Sequence, residues 1–191
     1  MTYFISDLHF GHTNCLSYDN RPFTNIQEHD EALIQNWNNK VKADDEIWIL
    51  GDLSWYNVDT TINILKRLNG KKKLCIGNHD SHFLKHEKFR EQFEEITDYK
   101  ELKSEDSKGI ILCHYPIPCF KNHFYGWYHL YGHVHISFES NMINHFVREM
   151  NDLYLKKCYM YNVGCMTPEM DFTPRTLEEI IERSNIDVKR W

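Results

Sequence analysis

Residues 3–12 read YFISDLHFGH, an aromatic and branched run that breaks off at Asp7, His9 and His12. The run predicts a short buried strand over Thr2 to Ser6, and an acid with imidazoles after one strand is an ordinary polar loop. The pattern recurs, however, at five places in the chain. DEIWILGD (45–52) ends in Gly51-Asp52, and KKLCIGNHD (72–80) ends in Gly77-Asn78-His79-Asp80. KGIILCHYP (108–116) yields His114, and WYHLYGHVH (127–135) yields Gly132-His133-Val134-His135.

Between these runs the elements follow from periodicity and caps. Residues 7–23 form a long loop containing the turn-like YDNRPF. Thr24 with Gln27 forms a capping box for a helix spaced by Ala32, Leu33, Asn36 and Trp37. Asn57 caps a helix through Ile62, Ile64, Leu65 and Leu68, ended by Asn69-Gly70. A short helix is expected over residues 83–91, and FEEITDYKELKS (93–104) has the look of a strand pair. Residues 138–157 are polar and weakly helical, an insertion over one face. CYMYNVG (158–164) reads as a strand, and Thr173 and Pro174 open a final helix through Leu177 to Ile181. Helices alternate with the early strands and later strands follow in sequence, so an α/β layered fold with a mixed sheet is expected.

The 191 residues, 41% hydrophobic and 14% aromatic, predict one folded domain over 1–191 with no linker or repeat. A net charge of −6 lays no general footprint for nucleic acid, and Lys71-Lys72-Lys73 reads as a solvated strand entrance. No segment is apolar enough to span a bilayer and no signal-peptide pattern precedes the first strand. The six cysteines show no paired short spacing, which suits reduced thiols in a cytoplasmic protein.

Carboxyl ends of neighbouring strands in an open α/β sheet converge on one crevice. Here they deliver two to three carboxylates, one amide and five imidazoles. Uncompensated, the carboxylates repel and the imidazoles lack partners; divalent cations answer both problems. Asp7 and His9 stand two apart, as do His133 and His135, and on an extended stretch that spacing turns both side chains to one side. The glycines at 51, 77 and 132 allow sharp exits. The mixed oxygen and imidazole set exceeds what one ion holds and suits a pair of first-row transition ions, and the absence of thiolates argues against structural zinc.

The ordered set Asp-x-His, Gly-Asp, Gly-Asn-His-Asp, His and Gly-His-x-His resembles the calcineurin-like metallophosphoesterases, in a small bacterial or phage-type form, over residues 3 to about 165. The resemblance implies a four-layer αββα sandwich with mixed β-sheets and a dinuclear metal centre with a bridging hydroxide. Asp7, His9 and His135 would hold the first ion and Asn78, His114 and His133 the second, with Asp52 bridging. His79 would be the catalytic imidazole and Asp80 its orienting partner. The ions would be manganese, iron, zinc, nickel or cobalt, manganese foremost. The implied activity is hydrolysis of a phosphomonoester or phosphodiester on a small or nucleotide-like molecule.

His12 and Arg21 are candidate substrate contacts, the guanidinium because it forks onto phosphate oxygens. The family's protein phosphatases carry an arginine shortly after Gly-Asp; GDLSWYN (51–57) lacks it, which argues against that branch. Phe124, Tyr125, Trp127 and Tyr128 are read as core before a base-stacking shelf, and His29, His82, His86, His123, His129 and His145 as surface or loop residues. A nuclease of the same superfamily is the alternative, disfavoured by the acidic balance. A non-catalytic scaffold would have no need of His79 with a complete ligand set.

Overall fold

Four parallel strands occupy the first half of the chain: β1 (Thr2–Ile5), β2 (Glu46–Ile49), β3 (Lys71–Cys75) and β4 (Glu95–Thr97), in that spatial order. The computed structural model describes residues 1–104, 107–153 and 157–187. Parallel neighbours need crossover connections. These carry α1 (Cys15–Tyr18) and α2 (Ile26–Lys40) after β1, α3 (Val58–Arg67) after β2, and α4 (Glu87–Arg90) after β3, preceded by a 3₁₀ turn at Phe83–Lys85. The short α1 interrupts the loop expected over 7–23.

Each long helix begins where a side chain satisfies a free backbone N–H. The α2 cap sits one residue later than Thr24 and Gln27 suggest: Asn25 accepts from the Glu28 N–H at 2.9 Å, and Glu28 accepts from the Thr24 N–H at 2.8 Å. Helix α2 then buries Leu33, Ile34 and Trp37. Asn57 caps α3 as expected, accepting from the Thr60 N–H at 2.9 Å.

The second sheet runs β5 (Tyr99–Lys103), β6 (Gly109–Cys113), β7 (Tyr128–Tyr131), β8 (Tyr159–Asn162). Here β5 is antiparallel to β6 and the remaining pairs are parallel. Residues 93–104 thus give two strands that do not pair with each other. β4 closes the first sheet and β5 opens the second, with Asp98 between them. Helix α5 (Phe138–Leu153) is firmer than the polar character of 138–157 suggests, because Ile143, Phe146, Val147 and Met150 make one apolar stripe. Residues 154–156 of that segment lie outside the described residues. Helix α6 (Leu177–Asp187) starts after Thr176, which exchanges hydrogen bonds with Glu179; Pro174 lies ahead of it, outside the first turn.

One buried cluster joins the sheets, drawing on Phe4, Ile47, Ile49 and Leu74 of the first and Ile110, Leu112, Tyr128 and Leu130 of the second. A smaller one packs the α5 stripe on Ile111, Tyr131 and Met160. The sheets are also stitched at one edge: the Ser6 N–H donates to Val163 O at 2.8 Å and the Cys165 N–H to Ser6 O at 2.9 Å. The ends of β1, β2, β3, β6 and β7 therefore open into a common space. No described helix is long and apolar enough to cross a membrane, and none of the six cysteines is paired.

Candidate metal centre

The residues leaving those strands are not extended. Asp7, His9, Asp52, His133 and His135 take positive φ of 54, 52, 53, 71 and 44°. Left-handed backbone at non-glycine residues costs energy and concentrates at functional sites. The same-side spacing argued for Asp7/His9 and His133/His135 therefore does not operate; successive sharp exits turn these side chains inward. Close packing makes room for this. A Cβ at Gly132 would stand 2.0 Å from Ser6 Oγ and 2.4 Å from Asp7 Oδ2, and one at Gly77 would stand 2.4 Å from Asp52 Oδ1.

Two groups of ligand-type atoms share Asp52. In the first, Asp7, His9, Asp52 and His135 each offer an atom within 4.8 Å of the others. His9 Nε2 lies 3.9 Å from Asp7 Oδ1 and 3.7 Å from Asp52 Oδ2, and His135 Nε2 lies 3.6 Å from Asp7 Oδ1. His9 Nε2 is buried without a hydrogen-bond partner. Such an orphaned nitrogen between two carboxylates is where a cation fits.

In the second group, His114 donates from Nδ1 to Leu50 O at 2.7 Å, which leaves Nε2 as a lone pair in the neutral ring. That lone pair faces Asn78 Oδ1 at 3.0 Å and Asp52 Oδ1 at 3.6 Å, while His133 Nδ1 lies 2.9 Å from the same amide oxygen. Electron-rich atoms thus converge from the exits of four strands, and a cation satisfies them as readily as a proton.

The electrostatics have the same shape. Burial pushes His9 down to about 3, against the pull of Asp7, so this ring is neutral at pH 7. Burial likewise lowers His133, with His114 adding to the effect. Burial, then the charge of Asp7, pushes Asp52 up to about 6, with His114 opposing. Asp7 resists its own burial and stays below the usual carboxylate range because His9, His135 and His114 surround it. Burial opposes charge on His135, yet its hydrogen bond to Asp19 and the charge of Asp7 prevail and raise it.

Of the remaining candidates, His79 sits at the rim with its side chain 48% exposed and Nε2 4.0 Å from Asp52 Oδ2. Asp80 does not orient it. The Asp80 carboxylate is buried and accepts from the N–H groups of Asp52 (3.0 Å), Leu53 (3.0 Å) and Gly77 (2.8 Å), tying the β2 and β3 exits together. Trp55 meets the His79 ring instead, at 4.3 Å between centroids. His12 stacks on Trp55 at 4.0 Å and lines the cleft.

Arg21 is neither a surface residue nor a substrate contact. It is 3% exposed and donates to Asp19, to Leu8 O and to Asp7 O, so no face is left for a phosphate. His29 and His129, expected as surface or loop residues, are fully buried in helix α2 and strand β7. Phe124 and Tyr125 are exposed, whereas Trp127 and Tyr128 pack into the two clusters.

The site opens into a cleft of about 370 Å³ lined by His12, Tyr18, Trp55, His79 and the ligand-type residues other than the buried Asp7 and His114. A second cleft of about 320 Å³ shares Trp55, Asn78 and His79 and continues past Ser81 and His82. Sequence reasoning missed Trp55, Tyr18 and Asp19. For Trp55 the only signal was its place three residues after Asp52, and for Asp19 its place beside Arg21 in YDNRPF.

No family model matches the chain. It is 38% identical over 135 residues to the uncharacterized protein MJ1445 of Methanocaldococcus jannaschii, a match covering 70% of this chain and 68% of that one. It is 39% identical over 82 residues to the gene 66 protein of Mycobacterium phage L5, covering 41% of this chain and 39% of the phage protein. The crystal structure of the protein of unknown function AQ665 from Aquifex aeolicus superposes with a TM-score of 0.61 at 25% identity, over 95% of this chain and 98% of that one.

Proposed function

The chain belongs to the same family as the Methanocaldococcus jannaschii protein, and we propose that it is a metal-dependent phosphoesterase of the calcineurin-like metallophosphoesterase type. One observation carries the reading: two groups of ligand-type atoms share the Asp52 carboxylate, and one of them contains the orphaned His9 Nε2. Helices packed on sheets that share a core are consistent with the four-layer sandwich of that family.

Asp7, His9, Asp52 and His135 would hold one divalent transition ion, and Asp52, Asn78, His114 and His133 the other. When bound, such a pair supplies Lewis acidity toward a phosphoryl oxygen and makes water a nucleophile near neutral pH. The protein's own part is positioning and proton transfer. Hydrogen bonds of His114 to Leu50 O and of His135 to Asp19 fix which nitrogen of each ring faces the site. His79, half exposed and lining both clefts, would give a proton to the oxygen of a departing group. The Trp55 wall and the Asp80 cross-tie hold that rim in place.

The test is to strip the protein with chelator and assay hydrolysis of bis-p-nitrophenyl phosphate before and after adding manganese. Hydrolysis should vanish on stripping and return with the metal. Full turnover in demonstrably metal-free protein would sink the reading.

A further inference from the structure

The geometry points to Asp19, clamped by Arg21, as the positioning residue that sets cation affinity at the Asp7–His9–His135 position and leaves the Asn78–His114–His133 position untouched; this rests on the two-ion reading above. Asp19 is 3% exposed. Its carboxylate receives Arg21 Nε at 3.0 Å and Nη2 at 2.8 Å, and His135 Nδ1 lies 3.0 Å from both of its oxygens. An ionised carboxylate only accepts, so His135 Nδ1 carries a proton and Nε2 is the nitrogen left to face Asp7 and a cation. A carboxylate behind a ligating imidazole fixes the ring and raises its basicity.

Arg21 extends the device to Asp7. A guanidinium has donors only. It gives hydrogen bonds to Asp7 O at 3.1 Å, to Leu8 O at 3.2 Å and to His29 Nε2 at 2.9 Å. His29 must then donate from Nδ1 to Asp30 Oδ1, at 2.8 Å, so the guanidinium is held from behind as well. One buried cation thereby anchors both the backbone that aims Asp7 and the carboxylate that aims His135. The other position has support of its own at His114, which is held by Leu50 O and touches neither Asp19 nor Arg21. A buried ion pair contributes little net stability on its own, whereas this one ends on a ligand-type histidine.

The test is a manganese titration of chelator-stripped wild type, Asp19→Asn, Asn78→Ala and the combined variant by calorimetry, with ions per chain counted by elemental analysis. Asp19→Asn should weaken one of two ions by about 10–100-fold and spare the other. Asn78→Ala should weaken the other ion, and the combined variant both. Asp19→Asn with Arg21→Gln removes both charges of the pair and carries the test if the single variant fails to fold; it should retain the one weakened position. Two wild-type affinities in either Asp19 variant, or equal loss at both positions, would overturn the inference while leaving the two-ion reading intact. Wild type that binds no manganese would overturn both.

Discussion

His79 and His9 show how one residue type is divided between roles by burial. His9 is 2% exposed, and burial lowers its pKa to about 3, so it is a neutral lone-pair donor. His79 is half exposed and lines both clefts. If His79 acts as general acid, its value depends on the leaving group. His79→Ala should retain both ions yet lose about 10²–10⁴-fold on alkyl or nucleoside esters. On p-nitrophenyl esters, whose leaving group departs without a proton, the loss should be clearly smaller. Turnover across a leaving-group series, with metal content measured in parallel, checks this, and equal losses along the series would reject the role. At this scale the sequence was informative about residue type and place and silent about burial. Nothing in YHLY (128–131) marks His129 as a core residue, and nothing in NRPF marks Arg21 as buried.

The strand exits were legible because each couples an apolar run to Gly, Asp, Asn or His, and every such run became a strand. Their backbone was not legible. Positive φ at five ligand-type residues depends on packing between exits, such as the approach of Gly132 to Ser6 and Asp7. The caps of α2 and α6 shifted by a residue or more because Thr24 and Asn25, like Thr173 and Thr176, are chemically competent alternatives, and tertiary contacts choose between them. Strand β7 carries a pH consequence. His129 donates from Nδ1 to Ile111 O at 3.1 Å and accepts from the Ile117 N–H at 3.0 Å, so it is neutral, and burial pushes it down to about 4. A lowered pKa means that the stability is complete above the unfolded value near 6.5 and is lost as pH falls toward 4, by up to about 3 kcal/mol. Denaturant unfolding of wild type and His129→Gln between pH 7 and about 4 measures it. The variant should be less stable at pH 7 and lose less on acidification; an equal acid-induced loss would contradict the assignment.

Across the whole molecule, the site depends on contacts that no local pattern reports. Asp19 reaches His135 across 116 positions, and Asp7 receives the His133 N–H across 126. The convergence was nonetheless foreseeable, because parallel strands send their carboxyl ends the same way. What sequence could not supply was the second sheet's stitch to β1 through Ser6, Val163 and Cys165, which brings the exits of β6 and β7 against those of β1 to β3. Asp52 stands at that junction, 3.7 Å from His9 Nε2 on one side and 3.6 Å from His114 Nε2 on the other. The account stands most directly on this shared carboxylate. Asp52→Asn keeps the shape and removes one negative charge from both groups at once. Manganese per chain and turnover on bis-p-nitrophenyl phosphate should be measured on the same preparation of the folded variant. The account predicts fewer than two ions per chain and nearly abolished turnover; two retained ions with near-normal turnover would contradict it.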